Sequence, residues 1–445
     1  MNSGPDQAAT EVRCAEPAPV DPRVLRTWQI TTVALLFAGY AAYYFCRADL
    51  SVAMPMLAEE LSAHGMSSGD AMVRLGWVSS AGLAAYALGK FFLAGLGDLW
   101  GGRRSFLVGL GGATTFTLLF AAGGGLPLFT LAWIANRLTQ SIGWAGALKV
   151  CSKWFDFSAH GTVVGILSLS YLVGDAAARP FLGALIAQGV GWRGLFVAAG
   201  AVAGALWLAN QLLLRESRVD AGHPEARVNP RNLYAGSDAA PHDLLGFVRP
   251  LLASRAFALV CLLSFGCTII RETFNVWTPS YLRDAIGYST SSAASLSAVF
   301  PAVGAVSVLF TGWLSDRLGL NGRPLLLFGG LCATTLALLS LTATRAVATP
   351  PLASVTMVGA VAFCLLGPYS YLGGAFALDF GGKRAGAAAS GIIDGFGYLG
   401  GVLAGGGVAR IAVLFGWRGV FVALAVVSAS SALAAGFLYM HDRRS

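Results

Sequence analysis

Charged side chains are scarce in this chain, and their scarcity excludes most soluble folds. Of 445 residues, 12% are Asp, Glu, Lys or Arg and 56% are hydrophobic. A soluble domain carries about 25% charged residues. Uncharged runs at 105–136, 194–214, 285–315, 324–344 and 346–378 reach or exceed the roughly 20 apolar residues that span a bilayer. The sequence therefore predicts an all-α membrane protein.

Sequence motifs of catalysis are also missing. The chain has no Walker motif, no nucleophile elbow and no metal-ligand spacing, and its seven cysteines are scattered. We therefore expect no enzyme activity, no cofactor and no bound metal. Residues 1–26 lack the short basic region and cleavage site of a signal peptide, so the first helix is expected to stay in the protein.

The hydrophobic pattern predicts twelve helices in two groups of six. They cover 28–57, 71–97, 105–124, 127–151, 160–188, 192–214, 255–283, 288–314, 324–344, 350–380, 385–414 and 417–440. The long polar connection at 215–254 separates the groups. The predicted organisation is a tail at 1–26, a six-helix half at 27–214, a linker at 215–254, a second half at 255–440 and a tail at 441–445.

The two groups of helices repeat one another. The stretch GWRGLFVA at 191–198 returns as GWRGVFVA at 416–423, an offset of 225 residues. Gly143 and Gly367, as well as Pro55 and Pro279, follow at an offset of 224. A repeat of six helices keeps the same direction through the membrane. Parallel repeats related by an axis along the membrane normal are the arrangement of major facilitator transporters, with the substrate between the halves.

Two arginines inside predicted helices obey the same offset, Arg47 and Arg271. A charge at the bilayer centre costs about 2.5–3.5 kcal/mol and rarely faces lipid, so we expect both to face one central cavity. A guanidinium binds phosphate or carboxylate with two parallel hydrogen bonds, which indicates a clamp for a divalent anion. The alternative is pairing with local acids, Asp49 and Glu272. Neither acid shares a helix face with its arginine by spacing.

Other buried polar residues leave alternatives open. Lys90 either adds to the anion site or balances Asp394. Asp394 could carry a proton, bind a hydroxyl group or pair with Lys90. Asp175 and Arg179 have the i,i+4 spacing of a helical ion pair. That pair is either a structural element or a contact for the part of a substrate that is not phosphate.

Aromatic and loop residues complete the candidate set. Tyr40 and Tyr44 share a helix face with Arg47, which favours cavity lining. Tyr86, Trp144 and Tyr171 belong to a set that mixes cavity lining with interfacial anchoring. Acidic and basic residues at two helix ends indicate latches between helices: Asp98, Arg103 and Arg104 in the first half, and Asp316, Arg317 and Arg323 in the second. Arg137 and Arg410 are interpreted as packing or gating residues.

Several motifs resemble the organophosphate:phosphate antiporter family of the major facilitator superfamily. They are GYAAYYFCRADLSVAMP (39–55), YALGKF (86–91), QSIGWAGALKVCSKWF (140–155), RETFNVWTPSYLRD (271–284) and GFGYLGG (395–401). The resemblance implies that Arg47 and Arg271 bind phosphate and assigns helix 1 and helix 2 substrate positions to Tyr40, Tyr44, Tyr86 and Lys90. Ala48, the WAG at 144–146 and Tyr171 depart from the family pattern.

The resemblance implies exchange of a phosphorylated metabolite for inorganic phosphate by a monomer in a bacterial inner membrane. Two alternatives remain. One is a proton-coupled carboxylate symporter, which the second arginine, Arg271, argues against. The other is a hexose-phosphate sensor of the same fold. The net charge of +8 reflects topology and not nucleic-acid binding.

Basic residues predict the orientation in the membrane. Nineteen Lys and Arg residues lie on the side of both termini and the 215–254 linker, against five on the opposite side. The positive-inside rule makes the first side cytoplasmic. A cysteine placed at Ser237 should therefore resist impermeant thiol reagents in intact cells, whereas one beside Arg345 should react. External labelling at Ser237 would reverse the predicted orientation.

Overall fold

The structure, a computed structural model, describes residues 22–93, 100–156, 159–226, 251, 253–318, 322–343 and 351–442. In this part of the chain the first half consists of seven helices. They are α1 (Pro22–Ala63), α2 (Ser68–Phe92), α3 (Gly102–Ala122), α4 (Leu126–Gln140), α5 (Gly143–Trp154), α6 (His160–Ala187) and α7 (Trp192–Leu213). A short 3-10 turn, Val219–Ala221, follows at the start of the linker.

The second half is also helical. Its elements are α8 (Arg255–Asp284), α9 (Thr290–Leu296), α10 (Val299–Leu318), α11 (Gly322–Ala343), α12 (Pro351–Tyr371), α13 (Ala377–Leu403) and α14 (Gly406–Asp442). A π-helical turn, Leu372–Phe376, joins α12 to α13. Nine helices in the described ranges are long and apolar enough to cross a membrane. The predicted all-α membrane architecture is confirmed.

Helix boundaries differ from the prediction in a few places. The predicted helix 127–151 breaks into α4 and α5 next to Ser141, and the predicted helix 288–314 breaks into α9 and α10. The predicted boundary at 414–417 is a kink inside α14, where Gly416 has a φ of 67°. Because this φ lies in the left-handed region, a glycine suits the position.

The chain folds back on itself in the stretch formed by the π-helical turn and the first part of α13. Ser390 Oγ donates a hydrogen bond of 2.6 Å to the carbonyl of Gly373, 17 residues earlier. A straight helix would separate these residues by about 25 Å. The reversal therefore lies between Gly373 and Ser390, where the sequence predicted a connection at 381–384. It brings Asp394 alongside the π-helical turn, because a Cβ on Gly373 would lie 2.6 Å from Asp394 Oδ1.

Contacts between α1 and α8 mark a pseudo-twofold axis. Ser51 Oγ donates to the carbonyls of Asn275 and Val276, at 2.8 Å each. Glu59 of α1 pairs with Arg283 of α8. Ser51 and Asn275 are 224 residues apart, as are Glu59 and Arg283. Residues related by a twofold operation touch each other only near its axis, so the axis runs between these two helices.

Close contacts join the two halves on the side away from the chain's N-terminus. A Cβ on Gly76 of α2 would lie 3.0 Å from the Gly405 carbonyl, so the helices approach backbone to backbone. Ser80 Oγ donates to the Val402 carbonyl at 2.5 Å and accepts from the Gly406 amide at 3.0 Å. The halves are therefore closed on the far side, which the predicted orientation makes the external side.

Candidate anion-binding site

Arg47 lies on α1, one helical turn before Ser51. Its Nε donates to Gln140 Oε1 at 2.5 Å, and its Nη1 donates to the Tyr44 hydroxyl at 3.1 Å. The guanidinium lies over the rings of Tyr44 and Tyr86, 4.5 and 4.6 Å from their centroids. These partners are an amide, a hydroxyl group and two aromatic rings, so they orient the charge without a carboxylate to balance it.

Arg271 lies on α8, one turn before Asn275, and it has an acidic partner. Its Nη2 is 2.7 Å from Glu272 Oε1. The expectation that Glu272 would not reach this arginine is wrong, because two long side chains on adjacent positions bend toward each other. Asp49 does not pair with Arg47, as expected. Its Oδ1 accepts a hydrogen bond from the Leu50 amide instead.

Aromatic rings connect the two arginines across the junction of the halves. Arg271 lies 4.7 Å from the ring centroid of Tyr369 and 5.4 Å from that of Tyr398. The rings of Tyr86 and Tyr398 meet edge to face at 4.7 Å. A ring face attracts a cation through its quadrupole, and the attraction is stronger where water is excluded. The rings therefore stabilise two like charges that face the same space.

Two cavities share Tyr44, Tyr171 and Arg271 in their linings, and Arg47 lines the smaller of them. The smaller, about 60 Å³, lies on the closed side and is lined by Arg47, Arg271, Tyr44, Tyr171 and other residues. The larger, about 490 Å³, lies on the side of the chain's N-terminus, because its α1 residues Tyr40 and Tyr44 precede Arg47. Arg271 thus lies where the wide cavity ends, and Arg47 lies beside it in the small cavity on the closed side.

The larger cavity contains most of the remaining candidate residues. Its lining includes Tyr40, Tyr44, Tyr86, Lys90, Trp144, Tyr171, Arg271 and Asp394. Lys90 belongs to α2 in the first half and Asp394 to α13 in the second, so opposite charges line the same space from the two halves. The Lys90 Nζ lies 5.5 Å from the ring centroid of Tyr86.

Asp175 and Arg179 form the ion pair predicted from their spacing, with Arg179 Nε 3.0 Å from Asp175 Oδ1. Both line the small cavity. Arg179 also crosses to the second half, where its Nη2 donates to the Asn275 carbonyl at 2.9 Å and its Nη1 to Ser297 Oγ at 3.1 Å. The pair thus contributes to the closed side, which the sequence pattern did not indicate.

Some site residues were missed by sequence reasoning. Tyr369 and Gln140 touch the arginines although neither was a candidate. Arg137, interpreted as a packing or gating residue, lines the small cavity. Gln140 is in the family-like stretch 140–155, and Arg137 lies one turn before it on α4, which was the available signal. Tyr369 gave no comparable signal, because polar aromatic residues also occur at membrane interfaces.

Only some residues of the two predicted latches belong to the described part of the chain. Asp98 and the Asp316 side chain lie outside the described residues. Arg103 Nη2 donates to the Gln211 carbonyl at 2.6 Å, and Arg317 stacks on Trp313 at 4.2 Å. Arg104 forms no hydrogen bond or ion pair with the described residues, and Arg323 lies at the start of α11.

Glu216, an acid that was not a candidate in the sequence, caps the N-terminus of α3. It accepts hydrogen bonds from the amides of Gly102 and Arg103 at 2.8 and 2.6 Å, and from Lys153 Nζ at 2.6 Å. Burial raises the pKa of this carboxyl, but the hydrogen bonds outweigh burial and its pKa lies below the ordinary value. A carboxylate here also suits the positive end of the helix dipole.

The chain has two repeated halves of membrane-crossing helices with a charged cavity between them. This arrangement is typical of secondary transporters. A sequence profile of the Major Facilitator Superfamily matches residues 36–405. The chain belongs to this superfamily, a family of transporters and not of enzymes. It is therefore a multi-pass integral membrane protein.

Curated relatives agree with the resemblance seen in the motifs. The chain is 26% identical over 414 residues to a probable hexose phosphate transport protein of Chlamydia trachomatis, covering 89% of this chain and 88% of that one. It is 24% identical over 410 residues to a glycerol-3-phosphate transporter of Bacillus subtilis, covering 87% of each. It is 26% identical over 420 residues to the membrane sensor protein UhpC of Escherichia coli, covering 92% and 91%.

Solved structures support the fold alone. A bacterial homolog of the human lysosomal transporter Spinster, inward-facing and unoccupied, matches with a TM-score of 0.71 and 17% identity. The match covers 95% of this chain and 98% of that one. A D-xylose–proton symporter matches with a TM-score of 0.72 and 13% identity, covering 92% and 97%. The predicted major facilitator fold is confirmed.

The contacts of Arg179 predict a change in access to the small cavity. Replacing Asp175 with Asn and Arg179 with Gln together removes the link to the second half without leaving a lone carboxylate. Each hydrogen bond from a charged group contributes about 1.5–3 kcal/mol, so the closed side should open at least about tenfold more often. A cysteine reporter at Ser79, which lines the small cavity, should then react correspondingly faster with a hydrophilic thiol reagent.

The control replaces Arg193 with Gln in the same reporter background. Arg193 pairs with Glu60 at 3.1 Å within the first half, so its loss should not open the closed side. Labelling of the chain without the Ser79 reporter gives the background from native cysteines. Equal rates in the double variant and the Arg193 control would show that Arg179 does not hold the halves together.

Proposed function

We propose that this transporter exchanges a phosphorylated organic metabolite for inorganic phosphate by alternating access. The observation that carries the proposal is the position of Arg47 and Arg271, one from each half, lining one cavity. Each stands one helical turn from the contact of Ser51 with Asn275 on the pseudo-twofold axis. The names of the relatives in Chlamydia trachomatis and Bacillus subtilis support a phosphate-bearing substrate.

The two arginines act as one clamp for the phosphate group. A guanidinium stays charged at any physiological pH and matches two phosphate oxygens at once. A phosphate bound between them replaces the repulsion of two cations with attraction to a shared anion. The loaded carrier can then change its open side, whereas the empty carrier does so slowly. We therefore expect fast exchange and slow net transport.

The other candidate residues surround this clamp. Tyr40, Tyr86, Trp144, Lys90 and Asp394 line the approach, where they would contact the organic part of the substrate. Asp175 and Arg179 stay candidates for substrate selection, in addition to their link between the halves. The latch residues are proposed to act in gating. Both termini are proposed to be cytoplasmic and the carrier to be a monomer in a bacterial inner membrane.

A second function has one specific observation in its favour. The relative in Escherichia coli is a membrane sensor protein, and it is as similar to this chain as the probable transport protein of Chlamydia trachomatis. A sensor would bind the same class of ligand without moving it. Counterflow in proteoliposomes separates the two functions: labelled phosphate outside should enter only vesicles loaded with phosphate or an organic phosphate. Binding without flux would favour the sensor.

The clamp predicts equivalent losses at its two arginines. Replacing Arg47 or Arg271 with Lys keeps the charge but removes the planar fork. Losing one charge-assisted hydrogen bond costs about 1.5–3 kcal/mol, so phosphate affinity should fall about 10- to 150-fold in each variant. The measurement is the phosphate concentration for half-maximal phosphate–phosphate exchange in proteoliposomes.

The control for both variants is Arg418 replaced by Lys, an exposed arginine of α14 outside the cavity. That variant should exchange phosphate like the unmodified chain. Normal phosphate exchange by Arg271→Lys would contradict the clamp and would favour the carboxylate symporter, against which Arg271 is the argument.

A further inference from the structure

A third arginine, Arg137 of α4, shares the small cavity with Arg47 and Arg271. Its side chain is deeply buried, with 6% of the residue exposed. It stands one turn before Gln140, the residue that orients Arg47. The proposed exchange of an organic phosphate assigns it no role, because two arginines already form the clamp.

Unlike its neighbours, Arg137 has no polar partner within the described ranges. Its Nε and Nη1 atoms are buried and donate no hydrogen bond there. The guanidinium contacts the rings of Tyr86 and Trp133, 5.5 and 5.6 Å from their centroids. Arg47, Arg179 and Arg271 all donate to oxygen atoms nearby. A buried cation without an oxygen partner is unfavourable, and an incoming anion would relieve that cost.

No acid in contact neutralises Arg137 among the described residues. Asp49 is also buried and its Oδ2 has no partner, yet no ion pair joins it to Arg137. The described lining of the small cavity does not include Asp49. Glu272 and Asp175 line the cavity but are engaged by Arg271 and Arg179. The buried Nε of Arg271 also lacks a partner, but Arg271 donates through its Nη2, whereas Arg137 donates no hydrogen bond to any described residue.

The duplicated scaffold does not require a cation at this position. At an offset of 224 residues, the counterpart of Arg137 is Val361 of α12, which is completely buried. An apolar side chain therefore fills the equivalent place in the second half. Arg137 adds a charge to one side of the clamp, which suits a ligand with two different ends better than a symmetric one.

We propose that Arg137 binds a second anionic group of the transported molecule, and that the substrate is a compact phosphorylated carboxylic acid. This inference rests on the proposed function. The phosphate lies between Arg47 and Arg271, and the carboxylate extends into the small cavity toward Arg137, where a guanidinium and a carboxylate match in geometry. One water needs roughly 10–15 Å³, so a cavity of about 60 Å³ has room for a few waters, which suits a compact group such as a carboxylate.

The test compares 3-phosphoglycerate with glycerol 3-phosphate, which differ by a carboxylate in place of a hydroxymethyl group. Proteoliposomes are loaded with inorganic phosphate, and the uptake of each compound is measured over a range of concentrations. The unmodified carrier should favour 3-phosphoglycerate by about 10- to 150-fold in apparent affinity, the range of one charge-assisted hydrogen bond. In Arg137→Gln, uptake of 3-phosphoglycerate should fall far more than uptake of glycerol 3-phosphate.

Arg418→Gln is the matched control, because Arg418 is an exposed arginine of α14 outside the described lining of both cavities. It should keep the preference of the unmodified carrier. If Arg137→Gln does not fold, Arg137→Lys replaces it. That variant keeps the charge without the fork, so it should show a reduced preference for 3-phosphoglycerate.

The outcomes separate the inference from the function on which it rests. If the unmodified carrier exchanges phosphate for phosphate but takes up both compounds alike, the inference is overturned and the exchanger is not. An equal loss of both compounds in a folded Arg137 variant also overturns it. If the unmodified carrier does not exchange phosphate at all, the proposed function fails first.

Discussion

Two guanidinium charges buried at the junction of two membrane-embedded halves are the constraint on which this structure depends. Arg271 is paired with Glu272, whereas Arg47 is held by a neutral amide and a neutral hydroxyl. Aromatic rings cover the faces of both. Desolvating such charges costs several kcal/mol each unless they are paired. The site therefore favours the binding of an anion at the centre of the membrane.

The helices that hold the arginines also form the closed side. One turn beyond Arg47, Ser51 binds the backbone of α8, and Arg179 binds the same stretch through the Asn275 carbonyl. A shift of α1 relative to α8 would alter the arginine pair and these contacts together. Anion binding and access are thus coupled through two helices, without a relay through the rest of the fold.

The architecture and the shared position of the arginines could be predicted from the sequence because a duplicated half implies a pseudo-twofold axis. Residues at equivalent positions in the two halves are related by that axis. The offset of 224 residues predicted that Arg47 and Arg271 would share a cavity, and Ser51 and Asn275 touch at the same offset. Spacing rules failed for Glu272, since they describe helix faces and not the reach of long side chains. Arg137 was taken for a packing or gating residue, because a sequence does not show whether a buried charge has a partner.

The most direct test of the clamp is a double-mutant cycle on the affinity for inorganic phosphate. It compares the unmodified carrier, Arg47→Lys, Arg271→Lys and the double variant, each purified and measured by calorimetry. Two arginines that hold one phosphate are coupled, so the double variant should lose clearly less binding free energy than the sum of the single losses. Losses that add within about 0.3–0.5 kcal/mol would mean independent arginines and would contradict the account.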